Sequence, residues 1–164
     1  MLSILVVSTK GGCGKTTVTT NLASAFSQAG FETALADVDP QQTSLDWGHV
    51  RPADAAPVTV LDWSRSMTKV PKETERLIID APAALPAKRV EEIVRRADVV
   101  LVPILPSRFD EHSTRGFLNK LEAMKMVRRG KRDVAIIANR VRTRNKTSRF
   151  LEDFLKEVNY PVVA

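Results

Sequence analysis

The residues with the clearest chemical capacity are contiguous: Ser8-Thr9-Lys10-Gly11-Gly12-Cys13-Gly14-Lys15-Thr16-Thr17. Glycines let successive backbone N–H groups turn inward around phosphate oxygens. Lys15 brings positive charge to the β- and γ-phosphates, and the Thr16 hydroxyl is placed to ligate Mg²⁺. An apolar run, Leu2 to Val7, precedes the segment and a helical pattern follows it, so bound phosphates would also meet a helix N-terminus. A nucleoside triphosphate is the expected ligand. A glycine turn that merely joined strand to helix would have no need of Lys and Thr in this register. The common G-x-x-x-x-G-K-[ST] pattern wants glycine at position 9, where this chain carries Thr9, and a second lysine, Lys10, stands immediately before the glycine pair. Cys13 occupies the variable position of the loop, where a small side chain suffices to explain it. Its neighbours Lys10 and Lys15 would favour a thiolate, which is the requirement for any redox role.

The string Lys10 to Thr17 resembles the deviant Walker A motif of the ParA/MinD family of ATPases. In that family the extra lysine reaches the phosphates held by the other subunit of a nucleotide-sandwich dimer, so the resemblance implies that Lys10 acts in trans. Leu35-Ala36-Asp37-Val38-Asp39-Pro40-Gln41-Gln42 resembles the segment whose second aspartate positions or activates the attacking water. Leu77-Ile78-Ile79-Asp80-Ala81-Pro82 resembles the family's Walker B strand and switch loop, and Asn139-Arg140-Val141 the loop that contacts the base. The Asp-x-Asp-Pro-Gln form points to the ParA branch. Phosphoryl transfer needs a metal ion, fixed donors and one group that orients water. Asp39 is assigned to the water, and Thr16, Asp37 and Asp80 to the Mg²⁺ shell, Asp37 through water. The nucleotide contacts are Gly11, Gly12, Cys13, Gly14, Lys15, Thr16, Thr17, Asn139 and Arg140, with Lys10, Lys15 and Asp39 as the catalytic set. Taken singly, each aspartate reads equally well as a turn or helix-cap residue.

These residues need a scaffold that brings them to one place. Strands are expected at Leu2 to Ser8, Thr33 to Asp37, Val58 to Leu61, Arg76 to Asp80, Asp98 to Ile104 and Val134 to Ala138, with a further one at Pro161 to Val163. Helices are expected at Thr16 to Gln28, Thr43 to His49, Pro86 to Arg96, Glu111 to Arg129 and Lys146 to Val158. Several strands are unbroken Val/Ile/Leu runs, the mark of strands buried on both faces. The fold class is therefore α/β, a mainly parallel sheet with helices on both faces, P-loop NTPase-like. Asp37, Asp39 and Asp80 fall at or just past strand C-termini, where ligands bind in such sheets.

The 164 residues fit one domain, 1–164. One cysteine supplies neither a disulfide nor a structural metal site, and no apolar run approaches a bilayer span, so a cytoplasmic location is expected. Small ParA-type chains continue for several dozen residues past the position of Tyr160 to Ala164. The resemblance thus implies a missing C-terminal portion, and with no long extension ahead of the loop no additional sequence-specific DNA-binding domain is expected. Charge is uneven: Lys125 to Arg149 holds ten basic residues and one acid, Asp133, while the remainder is net −3. Such a basic stretch on a mildly acidic body suits non-specific DNA, and with it a nucleoid association, or else is a solvated surface. The expected activity is a slow, partner-stimulated, Mg²⁺-dependent ATPase that dimerises with ATP, returns to ADP on hydrolysis, and positions or partitions plasmid, chromosome or other cargo through a ParB-like adaptor. Two alternatives stand beside it: a MinD-like membrane-associated positioning ATPase, disfavoured by the missing membrane-targeting tail, and a metabolic phosphotransferase or ligase on the same loop.

Overall fold

The computed structural model describes residues 1–83, 85–142 and 146–163, without the side chains of residues 146–149. Six strands, β1 (Leu2–Val6), β2 (Thr33–Asp37), β3 (Thr59–Asp62), β4 (Arg76–Asp80), β5 (Val99–Ile104) and β6 (Asp133–Ala138), form one sheet. Their order is β3-β2-β4-β1-β5-β6, and every pairing is parallel. The helices are α1 (Lys15–Gln28), α2 (Thr43–His49), α3 (Ala87–Val94), α4 (Arg108–Ala123), α5 (Lys125–Arg128) and α6 (Lys146–Glu157).

The unbroken apolar strands serve two cores, because successive side chains point to opposite faces of a sheet. Leu5, Val7, Leu77 and Ile79 pack with Ile93, Phe117, Leu121 and Leu151, contributed by α3, α4 and α6. Ile4, Val6, Leu35 and Ile78 pack on the other face with Val18, Leu22 and Ala23 of α1 and Trp47 of α2. Each fully buried Leu or Ile contributes about 1.5–3 kcal/mol over the exposed side chain, so the central strands anchor the sheet strongly. After β1 the chain runs to β2, outward to β3 at the edge, and back to β4, which lies between β2 and β1. It then crosses past β1 to β5 and β6 on the other side. The winding reverses at β1, which opens a crevice beyond the C-terminal end of that strand, where the phosphate loop begins.

The structure departs from the sequence-based expectations at three places. The single helix expected from Glu111 to Arg129 is two, separated by Met124 in an extended conformation (φ −70°, ψ 127°). Met124, Met126 and Val127 all pack against the larger core. On one straight helix they would span roughly 160° of circumference, wider than the usual apolar stripe, and the break lets all three turn inward. The same element starts earlier than expected, at Arg108, because Ser107 is extended and Asp110 and Glu111 N–H groups donate to its carbonyl. Third, Pro161 to Val163 joins the sheet only through an isolated parallel bridge, Ile136 to Val162, held by two backbone hydrogen bonds of 2.9 and 2.8 Å.

Candidate nucleotide-binding site

The loop between β1 and α1 is built around its second lysine. Lys15 is 8 % exposed, and its Nζ donates to the Lys10 carbonyl at 2.9 Å and to Ser8 Oγ at 3.3 Å. Those contacts hold an ammonium group at the loop's centre, where a phosphate oxygen would otherwise provide the counter-charge. Gly12 and Gly14 adopt φ of 78° and 90°, values that side chains rarely tolerate. At Gly14 a Cβ would also press on Asn139 Nδ2 and push that side chain from its place, while the positive φ is what calls for glycine. The Cys13 thiol is buried beside Ser8 Oγ at 2.9 Å and does not reach solvent, so only its backbone faces the ligand side. Above the loop lies a cleft of about 430 Å³ lined by Gly11, Gly12, Gly14, Lys15, Thr16, Thr17, Asp39, Gln41, Pro82, Ala83 and Arg140.

Sheet register brings the carboxylates together. Asp37 on β2 pairs with Asp80 on β4, the last rung before both strands end. Asp80 is buried, accepts a hydrogen bond from Thr19 Oγ1 at 3.2 Å, and has its pKa raised to about 6 by burial. The Thr16 hydroxyl opposes that rise and the neighbouring Asp37 carboxylate adds to it. Asp37 is wholly buried and already occupied: Oδ1 accepts the Asp39 N–H at 2.9 Å, and Oδ2 accepts the Ser44 and Leu45 N–H groups, both at 3.0 Å. It thereby satisfies amides at the start of α2 that the helix itself leaves unpaired. Asp39, half-buried, lines the cleft and is oriented by Asp37 below it and by the Gln41 N–H on its own Oδ1 at 2.9 Å.

Mg²⁺ takes hard oxygen donors, uses one or two carboxylates, and draws its remaining ligands from phosphate and water. Thr16 and Asp80 meet that description. Ser44 Oγ, buried near the Asp80 carboxylate but outside good hydrogen-bond geometry with it, is a polar atom that a hydrated ion would satisfy. Among the described residues no group of three His, Cys, Asp or Glu stands close enough to hold a metal ion. Ser44 and Thr19 escaped sequence reasoning, since an isolated hydroxyl carries no pattern.

The raised pKa has a measurable consequence. A buried carboxylate held at about 6 keeps its proton in the folded chain over a range where the unfolded chain has released it, from near 3.8 upward. Folding stability contributed by this group therefore falls as pH rises through that window, by about 3 kcal/mol in full. Asp80→Asn should raise the thermal midpoint of the nucleotide-free protein at pH 8 by several degrees, with the gap to wild type closing below pH 4. A gap equal at both pH values would contradict the burial effect.

Residues 4–164 match the family model described as the CobQ/CobB/MinD/ParA nucleotide binding domain. The chain belongs to this family. It is 25% identical to the maintenance of carboxysome distribution protein A of Halothiobacillus neapolitanus, over 98% of this chain and 76% of that protein. A plasmid partition protein from Borrelia burgdorferi superposes with a TM-score of 0.77 at 14% identity, covering 99% of this chain and 89% of that one. A cobyrinic acid a,c-diamide synthase from Mycobacterium smegmatis, solved with bound ADP and magnesium, gives 0.75 at 18% identity, with 100% and 85% covered. The fold is that of the family.

The remaining site residues divide. Asn139 follows β6 and reaches 126 positions back along the chain: its Nδ2 donates to the Cys13 carbonyl at 2.8 Å, while Oδ1 accepts the Arg140 N–H at 2.9 Å. It braces the phosphate loop and does not line the cleft. Arg140, in the left-handed region at φ 55°, does line it. Lys10 turns away from the cleft altogether, its Nζ 3.9 Å from Asp110 Oδ2. The basic stretch is also divided, a feature sequence could not show. Lys125, Arg128, Arg129, Lys131 and Arg132 precede β6, whereas Arg140 and Arg142 follow it, so the strand places the two groups about 20 Å apart at opposite sheet ends. Arg144, and the side chains of Lys146 and Arg149, lie outside the described residues. Among the described residues no helix is long and apolar enough to cross a membrane.

Proposed function

We propose that this chain is a Mg²⁺-dependent ATPase of the ParA type that dimerises around ATP, binds DNA without sequence preference, and releases both on hydrolysis to ADP, so positioning a cargo. The observation that carries this reading is the pair of loop lysines with opposite placements. Lys15 is locked under its own cleft, and the Lys10 side chain is 39% exposed and directed away from it, a placement that suits contact with a neighbour's phosphates. Carboxysome distribution and plasmid partition, named for two of the relatives, are both positioning tasks and support the same reading. An adaptor that stimulates hydrolysis, a ParB-like protein or its counterpart, is the expected partner.

In this mechanism the loop amides and Lys15 hold the β- and γ-phosphates, and Arg140 closes the base side of the cleft with Asn139 keeping the loop in register. Thr16 and Asp80 would hold Mg²⁺, which when bound would supply neutralisation of the charge that develops on the phosphate oxygens. Asp37 acts on Asp39 through its backbone N–H and has a metal role only through water. Asp39 orients a water molecule, whose oxygen bonds to the γ-phosphorus as the bond to the ADP oxygen breaks. Loss of the γ-phosphate removes what Lys10 of a second copy binds, and the pair separates.

DNA binding is tested by salt. Each lysine or arginine that neutralises a phosphate steepens the fall of log affinity with log salt by about 0.9. Arg142→Glu, Arg128→Glu and Lys131→Glu should each flatten that slope by about this amount if the group touches the backbone, equally on unrelated duplexes. Arg142 stands at the cleft end, which a second copy would approach, so its contribution should appear only with ATP. An unchanged slope for all three variants would remove DNA from the proposal.

A further inference from the structure

Lys10 has a docking place of its own. Its ammonium lies 3.9 Å from Asp110 Oδ2 and 5.8 Å from the centroid of the Phe109 ring, an ion pair and a cation–π contact on the first turn of α4. The Asp110 side chain is 15% exposed, whereas Phe109 is 81% exposed beside it, the most exposed of the large apolar side chains described. Asp110 has no part in the cleft, and nothing in the nucleotide site accounts for an acid facing the loop's first lysine.

We propose that Asp110, assisted by Phe109, is the holding site for Lys10 in the lone chain, and that the γ-phosphate bound by a second copy takes the lysine from it. The inference rests on the dimerising reading above and adds a positioning residue to it. Its physical content is competition for one cation. A partly exposed carboxylate holds an ammonium weakly, and a triphosphate presents several charged oxygens that displace it with ease. A site loaded with ADP lacks the γ oxygens, so Lys10 stays on Asp110 and the chains stay apart. The holding contact is thus a cost that the γ-phosphate contact must exceed before the chains pair, and it raises the protein concentration that ATP-driven pairing needs.

Ion pairs of this exposure contribute between about 1.4-fold and 5-fold in an equilibrium constant. A symmetric dimer breaks two of them, one per chain, so the factor is squared. Asp110→Asn, which keeps the shape and removes the charge, should lower the protein concentration needed for dimerisation with a non-hydrolysable ATP analogue by about 2- to 25-fold. The gap to wild type should narrow between about 50 mM and 500 mM salt as the pair is screened. Light scattering on both proteins measures this. In the lone ADP-loaded chain, ¹³C-dimethylated Lys10 should change its NMR shift on Asp110→Asn and on Phe109→Leu, a readout independent of assembly and of how well either variant dimerises. An unchanged or raised dimerisation midpoint in Asp110→Asn, or a Lys10 resonance that ignores both substitutions, would overturn the holding site while leaving the dimer intact. Wild type that remains monomeric with the analogue would bring down the dimer reading itself, and the holding role with it.

Discussion

Lys15→Ala is expected to reduce triphosphate affinity by at least about 100-fold, while Asp39→Ala binds near wild-type strength and loses hydrolysis by about 100-fold or more. The difference follows from where the two groups sit. Lys15 is held under the cleft by the Lys10 carbonyl and Ser8 Oγ, so its ammonium meets the bound phosphates without reorganising. Hydrogen bonds to charged groups contribute about 1.5–3 kcal/mol each, and two of them account for a loss of that size. Asp39 lines the same cleft, anchored by its backbone N–H to Asp37 and by the Gln41 N–H to its Oδ1. It is placed for the water and not for the ground-state phosphates, and positioned general bases contribute about 10²- to 10⁴-fold to rate. Binding of a fluorescent ATP analogue and release of phosphate, measured side by side, separate the two roles. Full turnover in Asp39→Ala would take that residue out of the mechanism, and tight binding by Lys15→Ala would do the same for the lysine.

Lys10→Ala should remain a monomer at protein concentrations where wild type with a non-hydrolysable ATP analogue is fully dimeric, with monomer affinity for ATP little changed. The side chain makes no contact with its own cleft, which is why the monomer should bind normally. Each dimer would lose two charged contacts to phosphate, and at about 1.5–3 kcal/mol apiece the dimerisation constant falls by about 100-fold or more. ADP should fail to assemble even the wild type, because the γ-phosphate supplies the difference between the two states. Lys10→Ala that scatters light like wild type in the presence of the analogue would end the trans role and with it the principal argument for a dimeric enzyme.

Sequence determined what depends on near neighbours in the chain. A phosphate loop is a run of consecutive backbone amides, so its glycines, Lys15 and Thr16 are legible without tertiary information. Strands buried on both faces show as unbroken apolar runs, and five of the six occur within a residue of their expected limits at both ends. The parallel sheet and the placing of Asp37 and Asp80 at strand ends followed from the same signal. Tertiary structure decided whatever joins distant residues. Asn139 braces the Cys13 carbonyl, Lys10 rests on Asp110 a hundred positions later, and the Ser44 hydroxyl comes to Asp80 only because β2 and β4 are neighbours. Asp37 is taken up by the amides of α2, a role that a motif cannot distinguish from metal binding, since both use the same carboxylate at the same strand end. The basic stretch reads as one patch along the chain and becomes two in space. A strand of six residues carries its ends about 20 Å apart, and contiguity in sequence implies a common surface only where no such element intervenes.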